Sequence, residues 1–361
     1  MDLAPALAVS LPALGVIANP VSARDIRRVV AHAGNLQISE RVNIVIRVLQ
    51  AARAAGVQRV LLMPDRAGIH AMLDRHLKRG DTQLPEIELL DMEPTSTVED
   101  TFAATRLLQR AGVAAIVVLG GDGTHRAVVR ELVAGCGTGA PALPIAGLST
   151  GTNNAFPEMR EPTIVGLAAG LYAMGRLDAA ESLLPNKLIE VSVLNGSGPP
   201  RRDIAIVDAV VTQDRTVGAR ALWKTQSLAA AYFAFAEPEA IGLSAIGGLL
   251  QPVGRREPGG LSVQMATDAQ HALLHLNAPI APGLVRPVAV ASWQRMVAGE
   301  PLAVSAEAGS VALDGEREFT FGPGERVSMT LREDAFHTLD VKRCMAAAAR
   351  DGLLATRFPT P

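Results

Sequence analysis

Residues 117–129 read VVLGGDGTHRAVV, which places Asp122 among Gly120, Gly121 and Gly123, directly after an apolar run and before a helical pattern. Glycines at such a junction let backbone N–H groups approach a ligand closely, and the N-terminus of the following helix favours an anion. A carboxylate repels that anion unless it holds a metal ion or accepts a proton. Shaping the turn and capping the helix, together with Thr124, is the bland alternative. No Lys-Ser/Thr pair follows the glycines, so the loop is not a Walker A motif. Arg126 stands where a dinucleotide fingerprint needs its last glycine. Downstream, GLSTGTNNAFPE (147–158) gathers Ser149, Thr150, Thr152, Asn153 and Asn154 around Gly151, a set able to cradle phosphate or ribose oxygens. Asn19-Pro20 follows an earlier apolar run and would share the same edge.

The elements that would position these residues follow from periodicity. Ala13–Ala18, Val57–Met63, Ala114–Leu119 and Pro144–Leu148 are continuous apolar runs. Helical patterns over 39–55, 97–111 and 124–134 separate them, as does a short one capped by Ser22. Continuous strands between helices predict a parallel sheet covered on both faces. Ligands of such sheets sit beyond the carboxyl ends of the strands, where both glycine loops fall. After about residue 180 the runs become short and β-rich with Gly and Pro turns: 188–194, 204–212, 261–266, 273–276, 285–291 and 327–331. This predicts a nucleotide-binding α/β domain over 1–155 and a mainly antiparallel β domain over 156–333. A helix from Asp334 would return to the first domain.

Composition excludes several functions. The 361 residues are 48% apolar and 19% charged with net charge −2, so no basic field points to nucleic acid or an anionic membrane. Aromatic residues at 3% leave little for base stacking. Cys136 and Cys344 form neither a disulfide framework nor a metal knuckle, and a reducing cytoplasm is expected. The start of the chain lacks the positive region of a secretory signal and reads as a short tail. The apolar segment 227–250 carries Glu237-Pro238-Glu239 at its centre, which argues against a membrane span. His70, His76, His271, His275 and His337 show no metal-ligand spacing, and His125 reads as a solvated first-turn residue, with a phosphate contact as the alternative.

The combination of GGDGT with NP upstream and STGTNNAF downstream resembles the superfamily of NAD kinases, diacylglycerol kinases and sphingosine kinases. AIGLSAIGG (240–248), APIAPGLVRPVAV (278–290) and VALDGERE (311–318) extend the likeness beyond residue 200. The wording ANPVSARDIRRVV, LGGDGTHRAVVRE and LSTGTNNAFPEMREPTI is most similar to one branch, the NAD-kinase-like X proteins of acetoin catabolism. The resemblance implies ATP-dependent phosphoryl transfer to a hydroxyl, with Mg²⁺ and an active site between two domains. It implies a homo-oligomer, with NAD as the nominal acceptor. It assigns Asp122 as proton acceptor or metal partner and Glu316 as a second catalytic acid, whose bland reading is a solvated turn residue. Gly120, Gly121, Gly123 and Thr124 match the phosphate loop. Thr150, Gly151, Thr152 and Asn153 match the second nucleotide loop, beside Asn19.

Three departures fall in the acceptor side of the site. Val207-Asp208-Ala209 replaces an Asn-Glu pair, Glu237-Pro238-Glu239 replaces Gly-Ser-Thr, and Glu316 replaces a glutamine. Asn154, Asp208, Glu237 and Glu239 are therefore the candidate acceptor-binding residues. Two carboxylates at the elbow would repel a pyrophosphate unless a metal, Arg220 or Lys224 offsets them. A lipid or small-polyol kinase, and a regulatory protein that senses NAD or ATP without turnover, are the competing readings.

Overall fold

The computed structural model describes residues 12–20, 36–78, 83–135, 143–150, 154–195, 199–213, 227–266, 268 and 271–356. Five strands form a parallel sheet in the order β3-β2-β1-β4-β5: β1 (Ala13–Ala18), β2 (Arg59–Leu62), β3 (Glu86–Leu89), β4 (Ala115–Gly120) and β5 (Ile145–Ser149). Helices α1 (Ile38–Ala54), α2 (Ile69–Lys78), α3 (Val98–Arg110) and α4 (Asp122–Gly135) alternate with them. Both strands at the centre, β1 and β4, are wholly buried. Leu14, Val16 and Ala18 of β1 pack on the α1 side, and Ala13 and Ile17 on the α3 and α4 side. That two-sided burial is why these strands read as unbroken apolar runs.

Helix α1 starts on a capping box between Gln37 and Glu40, and Thr97 caps α3 by accepting from Glu99 N. Helix α5 (Pro162–Ala173) lies against α1 so closely that a Cβ on Gly166 would come within 2.4 Å of the Val48 carbonyl oxygen. Strands β6 (Leu183–Leu194), after the single turn α6 (Ala179–Ser182), and β7 (Arg201–Ala205) extend the same sheet in antiparallel fashion.

The second sheet is antiparallel, in the order β11-β12-β10-β9-β8-β14-β15. Its strands are β8 (Asp208–Thr212), β9 (Leu228–Phe233), β10 (Gly260–Met265), β11 (Leu274–Ala281), β12 (Leu284–Met296), β14 (Gly309–Leu313) and β15 (Glu316–Phe321), with helix α7 (Ser244–Leu250) inserted after β9. Two late strands return to the first sheet: β13 (Pro301–Ala303) and β16 (Arg326–Leu339), which pair with each other. Strand β16 also pairs antiparallel with β6 and meets β5 in parallel at Thr338 and Ile145. One continuous core therefore joins α3, α4 and β6 to β8, β9 and β14. A second lies beneath α1, α5 and the last helix, α8 (Val341–Arg350). An α/β half with a parallel sheet is thus followed by a mainly antiparallel β half.

Two sequence expectations change. Ile204–Thr212 is two strands in different sheets, because the chain turns at Ile206 and Val207, whose N–H groups go to the Asp314 carboxylate. The helix expected from Asp334 begins instead at Val341. Strand β16 runs on to Leu339 past an irregularity at Arg332–Phe336, since β6 offers it a partner to the end.

Candidate active site

Strands β1 and β4 are neighbours but are joined in sequence by crossovers that leave in opposite directions, which makes their carboxyl ends the switch point of the sheet. Asn19 follows β1 there, and Gly120-Gly121-Asp122 leads from β4 into α4. Asn19 Nδ2 donates to Thr124 Oγ1 at 3.1 Å, and Asn19 N donates to Leu119 O at 3.2 Å. The buried guanidinium of Arg41 holds the Asn19 carbonyl at 2.7 Å. The second loop joins from β5: Thr150 N donates to Gly120 O at 3.3 Å, and Asn154 Nδ2 to Ser149 Oγ at 2.8 Å. A Cβ on Gly121 would stand 2.8 Å from Asn154 Oδ1, so the two loops touch at a glycine. Gly151, Thr152 and Asn153 lie outside the described residues.

Asp122 is the hinge of this arrangement. Its Oδ2 accepts from Ala155 N at 2.9 Å and its Oδ1 from Phe156 N at 2.8 Å. The carboxylate, half-buried in the first turn of α4, is thereby fixed against the second loop.

Glu316 opens β15 at the mouth of the same loop. A Cβ on Gly123 would come within 3.3 Å of Glu316 Oε1. The turn before it is Asp314-Gly315, both at positive φ (49° and 86°), as the tight hairpin between β14 and β15 requires. Asp314 is fully buried and accepts from Ile206 N (3.0 Å), Val207 N (2.8 Å) and Asp208 N (3.1 Å). Burial pushes its carboxyl up to about 8, while the Arg126 guanidinium opposes the rise. Arg126 lies 3.6 Å from Asp203, 3.8 Å from Asp314 and 4.0 Å from Glu316, so this cation of α4 ties the second sheet to the helix that follows the first glycine loop. Asp208 is buried beside Asp314 and joins the site through it.

The acidic elbow is a turn closed by Ala240 N donating to Glu237 O at 3.0 Å. Its Glu237 carboxylate meets Arg255 Nε at 3.4 Å, whereas Glu239 is exposed. Arg255 also donates through Nη1 to Phe156 O at 2.7 Å and through Nη2 to Ala155 O, with its guanidinium 4.5 Å above the Phe235 ring. The loop that carries it is anchored by Lys187, whose Nζ donates to the carbonyl oxygens of Gly254 (3.0 Å), Glu257 (2.7 Å) and Gly259 (2.8 Å). Arg255, Arg160, Asn186 and Arg256 line a cleft behind the second loop. Arg220 and Lys224, the expected partners of the elbow, lie outside the described residues.

His125 departs from its expected place on the surface. It is fully buried, with Nδ1 2.9 Å from Gly121 O and its ring 5.8 Å from that of Phe156. Burial draws its imidazole down to about 4, so it is neutral and packs the loop from beneath. Glycine at 147 makes room for it, since a Cβ there would lie 2.8 Å from His125 Nε2.

Arg126, Asp314 and Arg255 are the residues that sequence reasoning missed. The Asp-Gly hairpin signal could have drawn attention to Asp314. Nothing in the Gly- and Pro-rich stretch around Arg255 marks it as inward-facing.

A protein 56% identical over 353 residues, spanning 97% of this chain and 96% of its own, is acetoin catabolism protein X of Cupriavidus necator. The chain belongs to the acetoin catabolism protein X family. The C-terminal domain described for acetoin catabolism protein X matches residues 187–334, and the ATP-NAD kinase N-terminal domain matches residues 14–177. The second match contains β4, β5, both glycine loops and β1 from Leu14 on, and the first contains Arg255, Asp314 and Glu316. Among solved structures, a yeast NADH kinase complexed with NADH is similar with a TM-score of 0.48 and 12% identity, over 97% of this chain and 90% of that one. A putative diacylglycerol kinase from Bacillus anthracis gives 0.46 and 13%, over 91% and 96%. No helix among the described residues is long and apolar enough to cross a membrane.

Proposed function

We propose that this acetoin catabolism protein X family member transfers the γ-phosphoryl group of ATP to a hydroxyl acceptor, with NAD as the nominal acceptor and NADP as its product. The observation that carries the reading is the Asp122 carboxylate, fixed by two loop amides at the switch point of the sheet and at the N-terminus of a 14-residue helix. Turn-making does not require an acid there, because Thr124 and the glycines would suffice.

Phosphoryl transfer asks a protein mainly for positioning and charge neutralisation. Thr124 N and His125 N donate to Gly121 O, so Gly123 N and the positive end of the α4 dipole are what the loop presents to phosphate oxygens, with the Asn19–Thr124 pair bracing it. Asp122, held in place by the two amides, would orient the acceptor hydroxyl and take its proton. No cluster of three or more carboxylate, histidine or cysteine side chains able to hold a metal exists among the described residues. Mg²⁺ is commonly held by phosphates and one or two carboxylates; arriving with the nucleotide, it would find Glu316 at the mouth of the loop, leaving Asp122 to the proton. The ion would neutralise phosphate charge.

An uncharged polyol or lipid acceptor is the second reading. It is favoured by Glu316 standing over Gly123, where a second negative charge discourages a pyrophosphate. Incubation of purified protein with radiolabelled ATP, Mg²⁺ and a panel of NAD, NADH, nucleosides, diacylglycerol and acetoin-related diols distinguishes them. Labelled product from one acceptor class selects the reading. Label on none, with ATP still bound, overturns both in favour of a nucleotide sensor.

A further inference from the structure

We propose that Arg255, with its charge balanced by Glu237, is the positioning residue for Asp122, and that the acidic elbow serves this purpose. The peptide group joining Ala155 to Phe156 is held at both ends. Its carbonyl oxygen accepts from Arg255 Nη2 and its N–H donates to Asp122 Oδ1 at 2.8 Å. The next carbonyl, that of Phe156, accepts from Arg255 Nη1 at 2.7 Å, and the preceding peptide donates its N–H to Asp122 Oδ2 at 2.9 Å. A cation on the oxygen of a peptide polarises it and strengthens the N–H as a donor. The guanidinium fork is rigid and fits two acceptors at once, which an ammonium cannot match.

The clamp is built from three separate places. Lys187 fixes the loop of Arg255 through three carbonyls, Phe235 stacks beneath the guanidinium, and Glu237 meets the remaining Nε. The elbow is equally constrained, because a Cβ on Gly248 would lie 2.3 Å from Glu237 O. Glu237 thus acts on the phosphate loop from the second sheet without touching the loop itself. The geometric part of this inference is independent of the reaction, whereas the catalytic part rests on the phosphoryl-transfer reading.

Arg255→Met, Arg255→Lys and Glu237→Gln test both parts. Amide hydrogen exchange of the full chain is read by NMR at Ala155 and Phe156 and at the core strand β4. Arg255→Met should speed exchange at Ala155 and Phe156 by roughly tenfold or more while β4 is unchanged, and Arg255→Lys should restore part of the protection. Wherever phosphoryl transfer is measurable, kcat should fall in the same order of variants while KM for ATP stays within about twofold. Unchanged exchange at both amides in folded Arg255→Met overturns the clamp, as does a uniform rise that includes β4. Altered exchange with unchanged kcat overturns the catalytic part alone. An absence of any turnover in the wild type speaks against the phosphoryl-transfer reading and leaves the exchange result to decide the clamp.

Discussion

The Asp122 carboxylate and the Arg255 guanidinium grip opposite sides of one peptide group, that between Ala155 and Phe156. An acid of the α/β half and a cation of the β half are thereby in register although they do not touch. The second glycine loop is the part between them.

Asp122→Asn keeps an acceptor for one loop amide and presents an N–H to the other. The lost charge-assisted hydrogen bond, with two N–H groups now facing each other, should cost about 2 kcal/mol, a modest fall in melting temperature. Phosphoryl transfer should fall by roughly 10²–10⁴-fold, the usual contribution of a proton acceptor. Parallel thermal melts and turnover assays check it, and full activity in the variant would return Asp122 to the role of turn-former.

Gly121→Ala places a Cβ 2.8 Å from Asn154 Oδ1, so the Asn154 side chain must shift and its hydrogen bond to Ser149 is disturbed. ATP binding measured by calorimetry should weaken by tenfold or more while the melting temperature changes little, because the site lies at the end of the sheet rather than in its core. Unaltered affinity would remove the loop from the nucleotide site.

Glu316→Gln removes charge at the mouth of the loop without changing shape. The Mg²⁺ concentration needed for half-maximal rate should rise if Glu316 shares the ion with the nucleotide. An identical Mg²⁺ dependence and rate would show a solvated hairpin acid, 64% exposed as its side chain is.

Two buried groups oppose each other in pH dependence. The imidazole of His125 is drawn down to about 4 from an ordinary 6.5, so its neutral packing contributes stability above pH 6.5 that is lost as pH falls through 4. The difference corresponds to about 3 kcal/mol. The Asp314 carboxyl is raised to about 8 from 3.8, so its contribution is present below pH 3.8 and is lost as pH rises through 8. NMR titration of the His125 ring should show no protonation until near pH 4. Urea denaturation of His125→Gln and Asp314→Asn should change the slope of stability against pH with opposite signs.

The parallel half was legible because burial on both faces writes strands as unbroken apolar runs, and because its loops are spelled in glycine and small polar residues. Strand β3 was not, since Glu86 and Glu88 place it on a polar edge. Helix α2 buries only Ile69 and Leu73, too few to announce a face. The site was legible where backbone chemistry dictates residue type, at Gly121, Asp122 and Asn19. It was obscure where a side chain owes its role to a distant partner, as Arg126 does to Asp203 and Arg255 to the Ala155 carbonyl. Such pairings leave no local pattern.

Strand β16 has a consequence for how the chain can be divided. It lies between β5 and β6, so residues near the end of the chain complete a sheet begun at Ala13. The match to the C-terminal domain stops at residue 334, five residues before that strand does. A fragment ending near residue 180 would carry both glycine loops yet expose the open flank of β5. A fragment starting there would keep β16 on β6 and β13 but leave its β5-facing edge open and α8 without α5 to dock against. The two halves match separate domains but are not separate units of folding: expressed apart they should stay insoluble or unfolded, and mixed during refolding they should rescue one another.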